Sequence, residues 1–296
     1  MQHKPLLSIC IPTYNRCEIL NKTLKSLFSN PEFDEDLIEV IVSDNCSTDH
    51  TSDVVRRYPK VKYFCNEKNV KDANFAIALN YAQGEYIRLF NDTLSFKPTM
   101  LGLMLSKIRE NLDSRINLCF YGETFLHKDS MVEVNSLGEY VKEVSFYSTW
   151  IANFGTWREN FLKIENPDKY VDKQLVQVDW NLQLFKPDQL SHIYFRDFYN
   201  IEVPQKKGGY NVFKVFVSNY LEILKRHKLS MPTYEREKYQ LCKNFVYPWV
   251  LKLYVHEREK YDFQTGGAFK MIFKRYWYEP YFYLICLKFF IHKIKS

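Results

Sequence analysis

GEYIRLFNDTLSF, residues 84–96, passes from a glycine through a strand-like run, Tyr86 to Phe90, into the polar turn Asn91-Asp92-Thr93 and back into apolar residues. A strand that ends on a carboxylate suits an open parallel sheet, because such sheets collect their ligands at the carboxyl ends of the strands. The same alternation recurs on both sides of it. β-Rich apolar runs at Leu6–Ile11, Ile38–Ser43, Val61–Cys65 and Ile116–Tyr121 take turns with helical spacing at Glu18–Phe28, Thr51–Tyr58, Ala73–Ala82 and Pro98–Arg109. In the first of these helices Ile19, Leu20, Leu24 and Leu27 share one face. The pattern predicts an α/β fold: β-α-β units forming a mostly parallel central sheet flanked by helices.

The polar strand ends are therefore the first candidates for a site. Strand one ends in IPTYNR (11–16), strand two in SDNCSTD (43–49) and the strand opened at Tyr86 in NDT (91–93). Hydroxyls, amides, carboxylates and an arginine at a helix start are the groups that grip base, ribose and phosphate. Each alone is equally an ordinary turn or cap residue. Three such ends on one sheet edge make a cleft.

LLSICIPTYNR, EVIVSDNCSTDHT and NVKDANFAIALNYAQGEYIRLFND together resemble the nucleotide-sugar domain of family 2 glycosyltransferases, the GT-A fold, over roughly the first 120 residues. The second half is similar in arrangement to bacterial enzymes that build O-antigens, capsules and related surface polysaccharides. The resemblance implies inverting transfer from a nucleotide-diphospho-sugar, a UDP-sugar favoured, to a glycan or lipid-linked saccharide, with Mn²⁺ or Mg²⁺ as cofactor. It assigns Pro12, Thr13, Asn15 and Arg16 to the first nucleotide loop and Asp44 to the base, with Asn45 and Ser47 beside it. Asn69 falls in the family's N-x-G stretch, where Lys71 replaces the glycine, and Asn74 stands near the ribose.

The family's D-x-D metal motif is altered here. Ungapped alignment sets Asn91 and Thr93 at its two Asp positions and Asp92 between them. A hard divalent ion held by phosphate needs only one or two protein carboxylates, so Asp92 is the expected metal ligand, with Asn91 contributing an oxygen. Two alternatives stay open: cationic side chains neutralise the leaving diphosphate with little help from metal, or the site is degenerate. Lys206 and Lys207, in VPQKKGGYN, are the expected diphosphate cations, next to the flexible Gly208-Gly209. Inversion needs a base to take the acceptor's proton. Asp179 in LVQVDWNLQLF, the only acid between residues 173 and 186, is the expected base, with Asp172 in reserve. Trp180 and the wall Gly155, Thr156 and Trp157 are the expected acceptor contacts.

Composition bounds the rest. A chain of 296 residues with 46% hydrophobic content buries a sizeable core. Its seven cysteines are scattered without C-x-x-C spacing, which points to reduced thiols and a cytoplasmic location. The apolar run after Lys4 is cut by Pro12 and Asn15 before a signal sequence is complete, and no window approaches the roughly 20 apolar residues of a spanning helix. Net charge is +6. Residues 270–295 hold Lys270, Lys274, Arg275, Lys288, Lys293 and Lys295 against the single acid Glu279, interleaved with aromatics. That composition fits peripheral contact with the cytoplasmic face of the inner membrane or a packed basic helix, and it argues against nucleic acid, since no sheet face carries the basic residues.

Residues 1–210 are expected to form the GT-A catalytic domain, 1–120 binding the nucleotide-sugar and 121–210 the acceptor, with a helical region at 211–296. Past residue 130 the pattern predicts a hairpin at Met131–Ser145, a helix at Lys173–Phe185 and a strand at His192–Phe195. Two rival readings are a binding or scaffold protein that kept the fold and a nucleotidyltransferase. IPTYNR lacks the glycine-rich basic loop of the latter.

Overall fold

The computed structural model describes residues 4–122, 127–186, 189–202, 207–256 and 258–295. The chain divides into two units, one of Met1–Leu137 with Tyr147–Glu202, the other of Gly138–Phe146 with Val203–Ser296.

The first unit opens as the sequence predicts: β1 (Leu7–Thr13), α1 (Cys17–Phe28), β2 (Ile38–Asp44), α2 (Thr51–Val55), β3 (Val61–Cys65), α3 (Ala73–Asn80) and β4 (Tyr86–Leu89). These strands lie side by side in the order β3-β2-β1-β4, all parallel. Every residue of β1 and β2 is buried, which is why both read as mostly apolar runs, interrupted by Ser8 and Glu39, instead of alternating ones. On α1 the buried face is Leu20, Leu24 and Leu27, with Thr23 set among them.

Beyond β4 come β5 (Leu94–Phe96), α4 (Met100–Glu110), β6 (Asn117–Tyr121), β7 (Ser130–Val134), α5 (Leu137–Val144), β8 (Gly155–Trp157), α6 (Arg158–Phe161), α7 (Val176–Leu184), β9 (Ser191–Phe195) and β10 (Tyr199–Ile201). Here the expectation needs two corrections. β6 does not extend the main sheet; it pairs in parallel with β9 in a separate sheet ordered β6-β9-β7. The edge beside β4 is taken instead by β8, running antiparallel. The predicted hairpin at Met131–Ser145 is also wrong in its second arm. β7 is a strand, antiparallel to β9, but the following residues coil into α5 and bury Tyr140, Val141 and Val144, a spacing of helical period.

At the amino end of the main sheet Glu39 is buried and accepts from Lys62 Nζ (2.6 Å), Gln83 N (2.5 Å), Gly84 N (2.9 Å) and the Ser8 hydroxyl. Burial alone pushes this carboxyl up, but the Lys62, Ser8 and Gln83 hydrogen bonds together outweigh it and hold the group below its ordinary range. Gly84 is required for this approach: a Cβ there would lie 2.5 Å from Ser8 Oγ and 2.9 Å from Ser8 N. The clamp ties β1, β2, β3 and the start of β4 together at the end away from their polar termini.

In the second unit the rest of α5 is joined by β11 (Lys207–Asn211), α8 (Leu221–Arg226), α9 (Met231–Leu241), α10 (Tyr247–Leu251), β12 (Tyr261–Gln264), α11 (Ala268–Tyr276) and α12 (Pro280–Lys295). The region is mostly helical, with β11 and β12 paired in parallel. Ser230 caps α9, its side chain accepting from Thr233 N with Pro232 in the first turn.

On the buried side of α9, Glu237 accepts from Ser145 Oγ (2.9 Å) and Tyr220 OH (3.0 Å). Burial drives its carboxyl from 4.5 to about 8, against the pull of those two hydroxyls and of Arg236. The folded state therefore keeps a proton that the unfolded chain releases. Stability from this group is complete below about pH 4.5 and is lost as pH rises to about 8. Melting followed from pH 5 to 9 is expected to show that decline, and Glu237→Gln should flatten it; an unchanged slope in the variant would place the titration elsewhere.

Candidate active site

Parallel register sets the geometry of the polar end. Thr13, the last residue of β1, lies opposite Asp44, the last of β2, which in turn lies opposite Cys65 of β3. Phe90 N bonds Cys10 O (2.8 Å), so the chain leaving β4 reaches the same edge. The turn at Asn91–Thr93 then carries Asp92 over the end of β1. Asp92 is 2% exposed: its Oδ2 accepts from Thr13 Oγ1 (2.8 Å) and its Oδ1 from Arg16 Nη1 (3.0 Å). Thr23, the polar residue on the buried face of α1, donates to the Asp92 carbonyl (2.7 Å) and pins the turn to the helix.

The neighbouring loops are braced as firmly. Asp44 Oδ1 accepts from Ser47 N (2.9 Å) and Oδ2 from Tyr63 OH (2.6 Å). Burial first, then the Asp44 carboxylate, push the Tyr63 hydroxyl up, so it stays a donor. Asn15, in the left-handed region at φ 51°, donates its N–H to Ser47 Oγ (2.8 Å) and accepts from Thr48 N (2.7 Å). Asp49 takes Cys17 N (2.9 Å) at the start of α1 and Thr51 N (3.0 Å) at the start of α2. Lys71 holds φ 55°, the left-handed backbone that explains a glycine at this position in the family pattern.

Several expected contacts are committed to the scaffold. Both ends of the Asn74 amide are used, accepting from Ser43 Oγ (2.6 Å) and Asn66 Nδ2 (2.8 Å) and donating to Ser43 O (2.9 Å). Asn45 bridges to Asn69 Oδ1 (3.0 Å), Lys71 O (3.2 Å) and Val70 N (2.8 Å). These amides shape the loop beside Thr13, Arg16, Asp44 and Asp92.

The expected acceptor wall is a correction. Gly155, Thr156 and Trp157 are strand β8 itself, buried; a Cβ on Gly155 would meet Tyr86 OH at 2.8 Å. Trp157 packs edge-on against Tyr86 and donates to Ile116 O (2.7 Å). Trp180 is equally enclosed by Phe154 and Phe161, donating to Pro167 O (2.8 Å). Neither indole offers a face to a sugar. Asp179, on α7, is 1% exposed and accepts from Gln183 Nε2 (2.7 Å), whereas Asp172 is exposed in the turn before that helix. Lys206 lies outside the described residues, and Lys207 opens β11 in the second unit.

A divalent ion can be tested against the donors present. Among the described residues no group of three or more His, Cys, Asp or Glu side chains converges. Asp92 supplies one carboxylate, and Asn91 Oδ1 is buried with no hydrogen-bond partner. One anionic and one neutral oxygen suit an ion that brings a diphosphate and water as its other ligands.

Residues 8–169, more than half of the chain, match the profile of Glycosyl transferase family 2. The chain belongs to that family. Its relatives include the abequosyltransferase RfbV of Salmonella typhimurium (33% identical over 126 residues, 40% of this chain and 37% of that one). Another is the GalNAc(5)-diNAcBac-PP-undecaprenol β-1,3-glucosyltransferase of Campylobacter jejuni, 34% identical over 112 residues, 36% of this chain and 35% of that one. The chain thus spans little more than a third of these relatives' length. Among solved structures, S. aureus TarS 1–349 in complex with UDP-GlcNAc superposes with TM-score 0.59 at 18% identity, over 86% of this chain and 77% of that one. The mannosyltransferase PcManGT of Pyrobaculum calidifontis, in complex with GDP-Man and Mn²⁺, gives 0.52 at 16% identity over 84% and 72%. The GT-A architecture expected from the sequence is the observed one.

Proposed function

We propose that the protein is an inverting glycosyltransferase that moves a sugar from a nucleoside-diphosphate donor, a UDP-sugar by preference, to a hydroxyl of a lipid-linked glycan in surface-polysaccharide assembly. The observation that carries this reading is the meeting of Thr13, Arg16, Asp44 and Asp92 on one sheet edge of a family 2 chain. Relatives named for undecaprenol- and dolichyl-linked acceptors support the acceptor class.

In this mechanism Asp44 receives an N–H of the base, already oriented by Tyr63 and Ser47. Asp92 and Asn91 would hold a divalent ion, which when bound offsets the charge of the departing diphosphate. Asp179 takes the acceptor's proton as that oxygen attacks the anomeric carbon and the bond from carbon to diphosphate breaks. Residues 270–295 place the enzyme on the cytoplasmic surface of a membrane, where a lipid-linked acceptor resides.

The test is thermal stability with UDP, GDP, CDP or dTDP, each with Mn²⁺, Mg²⁺ or EDTA. At a hundredfold excess over Kd the matching nucleotide should stabilise the fold by about 2.7 kcal/mol, a rise of roughly 5–10 °C. Loss of that rise in EDTA supports the metal assignment. No rise with any nucleotide would leave a scaffold protein as the better reading.

A further inference from the structure

The Arg16–Asp92 pair is unequal. The Asp92 side chain is 3% exposed and held three ways, by Thr13 at Oδ2, by Thr23 at its carbonyl and by Arg16 at Oδ1. The Arg16 side chain is 47% exposed and touches the carboxylate through one nitrogen, leaving most of its five N–H donors uncommitted to that acid. Arg16 also stands just before α1, whose first N–H, that of Cys17, is already taken by Asp49. The guanidinium, not the helix terminus, is therefore the cation this loop presents.

We propose that Arg16 is an exchangeable counter-ion that couples donor binding to metal binding, a reading that rests on the function proposed above. The Arg16 guanidinium and a divalent ion are alternative partners for Asp92 Oδ1, since two cations on one carboxylate oxygen repel each other. A diphosphate offers Arg16 a better partner, because guanidinium pairs with phosphate oxygens through parallel charged hydrogen bonds. When the diphosphate draws Arg16 away, Asp92 Oδ1 and the unpartnered Asn91 Oδ1 become available to the ion that same diphosphate chelates. The nucleotide thus admits its own metal. No covalent bond changes in this exchange.

The measurement is Mn²⁺ affinity, read from the free-ion spin-resonance signal, with and without UDP, GDP, CDP or dTDP, on the full chain and on Arg16→Gln. The original protein should bind Mn²⁺ at least tenfold more tightly with its nucleotide than without. Arg16→Gln should gain at least tenfold in affinity for Mn²⁺ alone while losing nucleotide affinity. Those opposite movements would not come from a merely loosened loop, which weakens both. Adding Asp92→Asn should abolish the gained Mn²⁺ site, and melting curves check that each variant folds. Equal Mn²⁺ affinity of Arg16→Gln and the original chain without nucleotide would overturn the exchange while sparing the transferase reading, provided the original chain binds nucleotide. Absence of nucleotide binding in the original chain overturns both.

Discussion

Asp179→Asn is expected to lower kcat by about 10²–10⁴-fold while the nucleotide-induced rise in melting temperature stays as in the original protein. Inversion requires attack from the face opposite the leaving diphosphate, and the attacking hydroxyl must lose its proton as the new bond forms. A carboxylate serves only if its orientation is fixed. Gln183 fixes it here: its Oε1 accepts from Glu165 N (2.9 Å), and its Nε2 donates to Glu165 O (3.1 Å) and to Asp179 Oδ2 (2.7 Å). Asparagine keeps the size and can still accept from Gln183, but it cannot take the acceptor's proton. Asp172, exposed before α7, is the comparison: Asp172→Asn should turn over normally. Turnover of Asp179→Asn within about threefold of the original would remove it from the mechanism, and loss of turnover in Asp172→Asn instead would move the base there.

How much of this was readable in advance follows from the range of the interactions involved. β1 to β4 and the helices between them are legible because each is a local pattern: an apolar run bounded by polar turns, or a 3.6-residue repeat such as Leu20, Leu24 and Leu27. The placement of β6 and β8 is not local. Gly155-Thr156-Trp157 carries the small and aromatic residues of a sugar-binding wall, and the same residues fit a short buried strand once Tyr86 lies across Gly155. The choice is made by Tyr86, far away in sequence. α5, by contrast, had a usable signal in LGEYVKEV: Tyr140, Val141 and Val144 repeat at helical spacing, while the alternation in the preceding strand suggested a hairpin.

The site divides along the same line. The strand ends and their hydroxyl, amide and acid residues follow from sequence, because parallel strands deliver their ends to one edge. What each acid holds does not. Tyr63 reaches Asp44 across neighbouring strands, and Thr23 reaches the Asp92 carbonyl from a helix; both look like ordinary packing positions in the chain. Asp49 left a clue, since an acid two residues before Thr51 is a local turn signal, but its second bond, to Cys17 N, is again tertiary. Aligning NDT with D-x-D placed Asp92 in the variable slot; the turn and its anchor to Thr23 are what aim it at Thr13 and Arg16.

The second large effect is expected at the membrane. Phe269 and Phe273 of α11 and Trp277, the residue that follows it, recur every four residues and are 58%, 56% and 52% exposed, while the helix buries Ala268, Ile272 and Tyr276. Lys270 and Lys274 flank the exposed stripe and face solvent. α12 repeats the theme with Tyr283, Leu284, Leu287 and Phe290 exposed beside Lys288, and Glu279, the one acid of this stretch, is paired with Lys238. Among the described residues no helix is long and apolar enough to cross a membrane. In the function proposed above, this apolar stripe edged with cations would lie in the headgroup region of an anionic bilayer. Burying three half-exposed rings is worth roughly 2–5 kcal/mol, so Phe269→Gln, Phe273→Gln and Trp277→Gln together should weaken partitioning into phosphatidylglycerol vesicles at least about 30-fold. Glutamine preserves helix propensity, and the nucleotide-induced melting shift should be unchanged. Partitioning should also fall with added salt, as screening weakens the lysine contribution. If the triple variant sediments with anionic vesicles as well as the original protein does, the stripe is not the membrane contact; if the original chain binds neutral vesicles equally well, its lysines take no part.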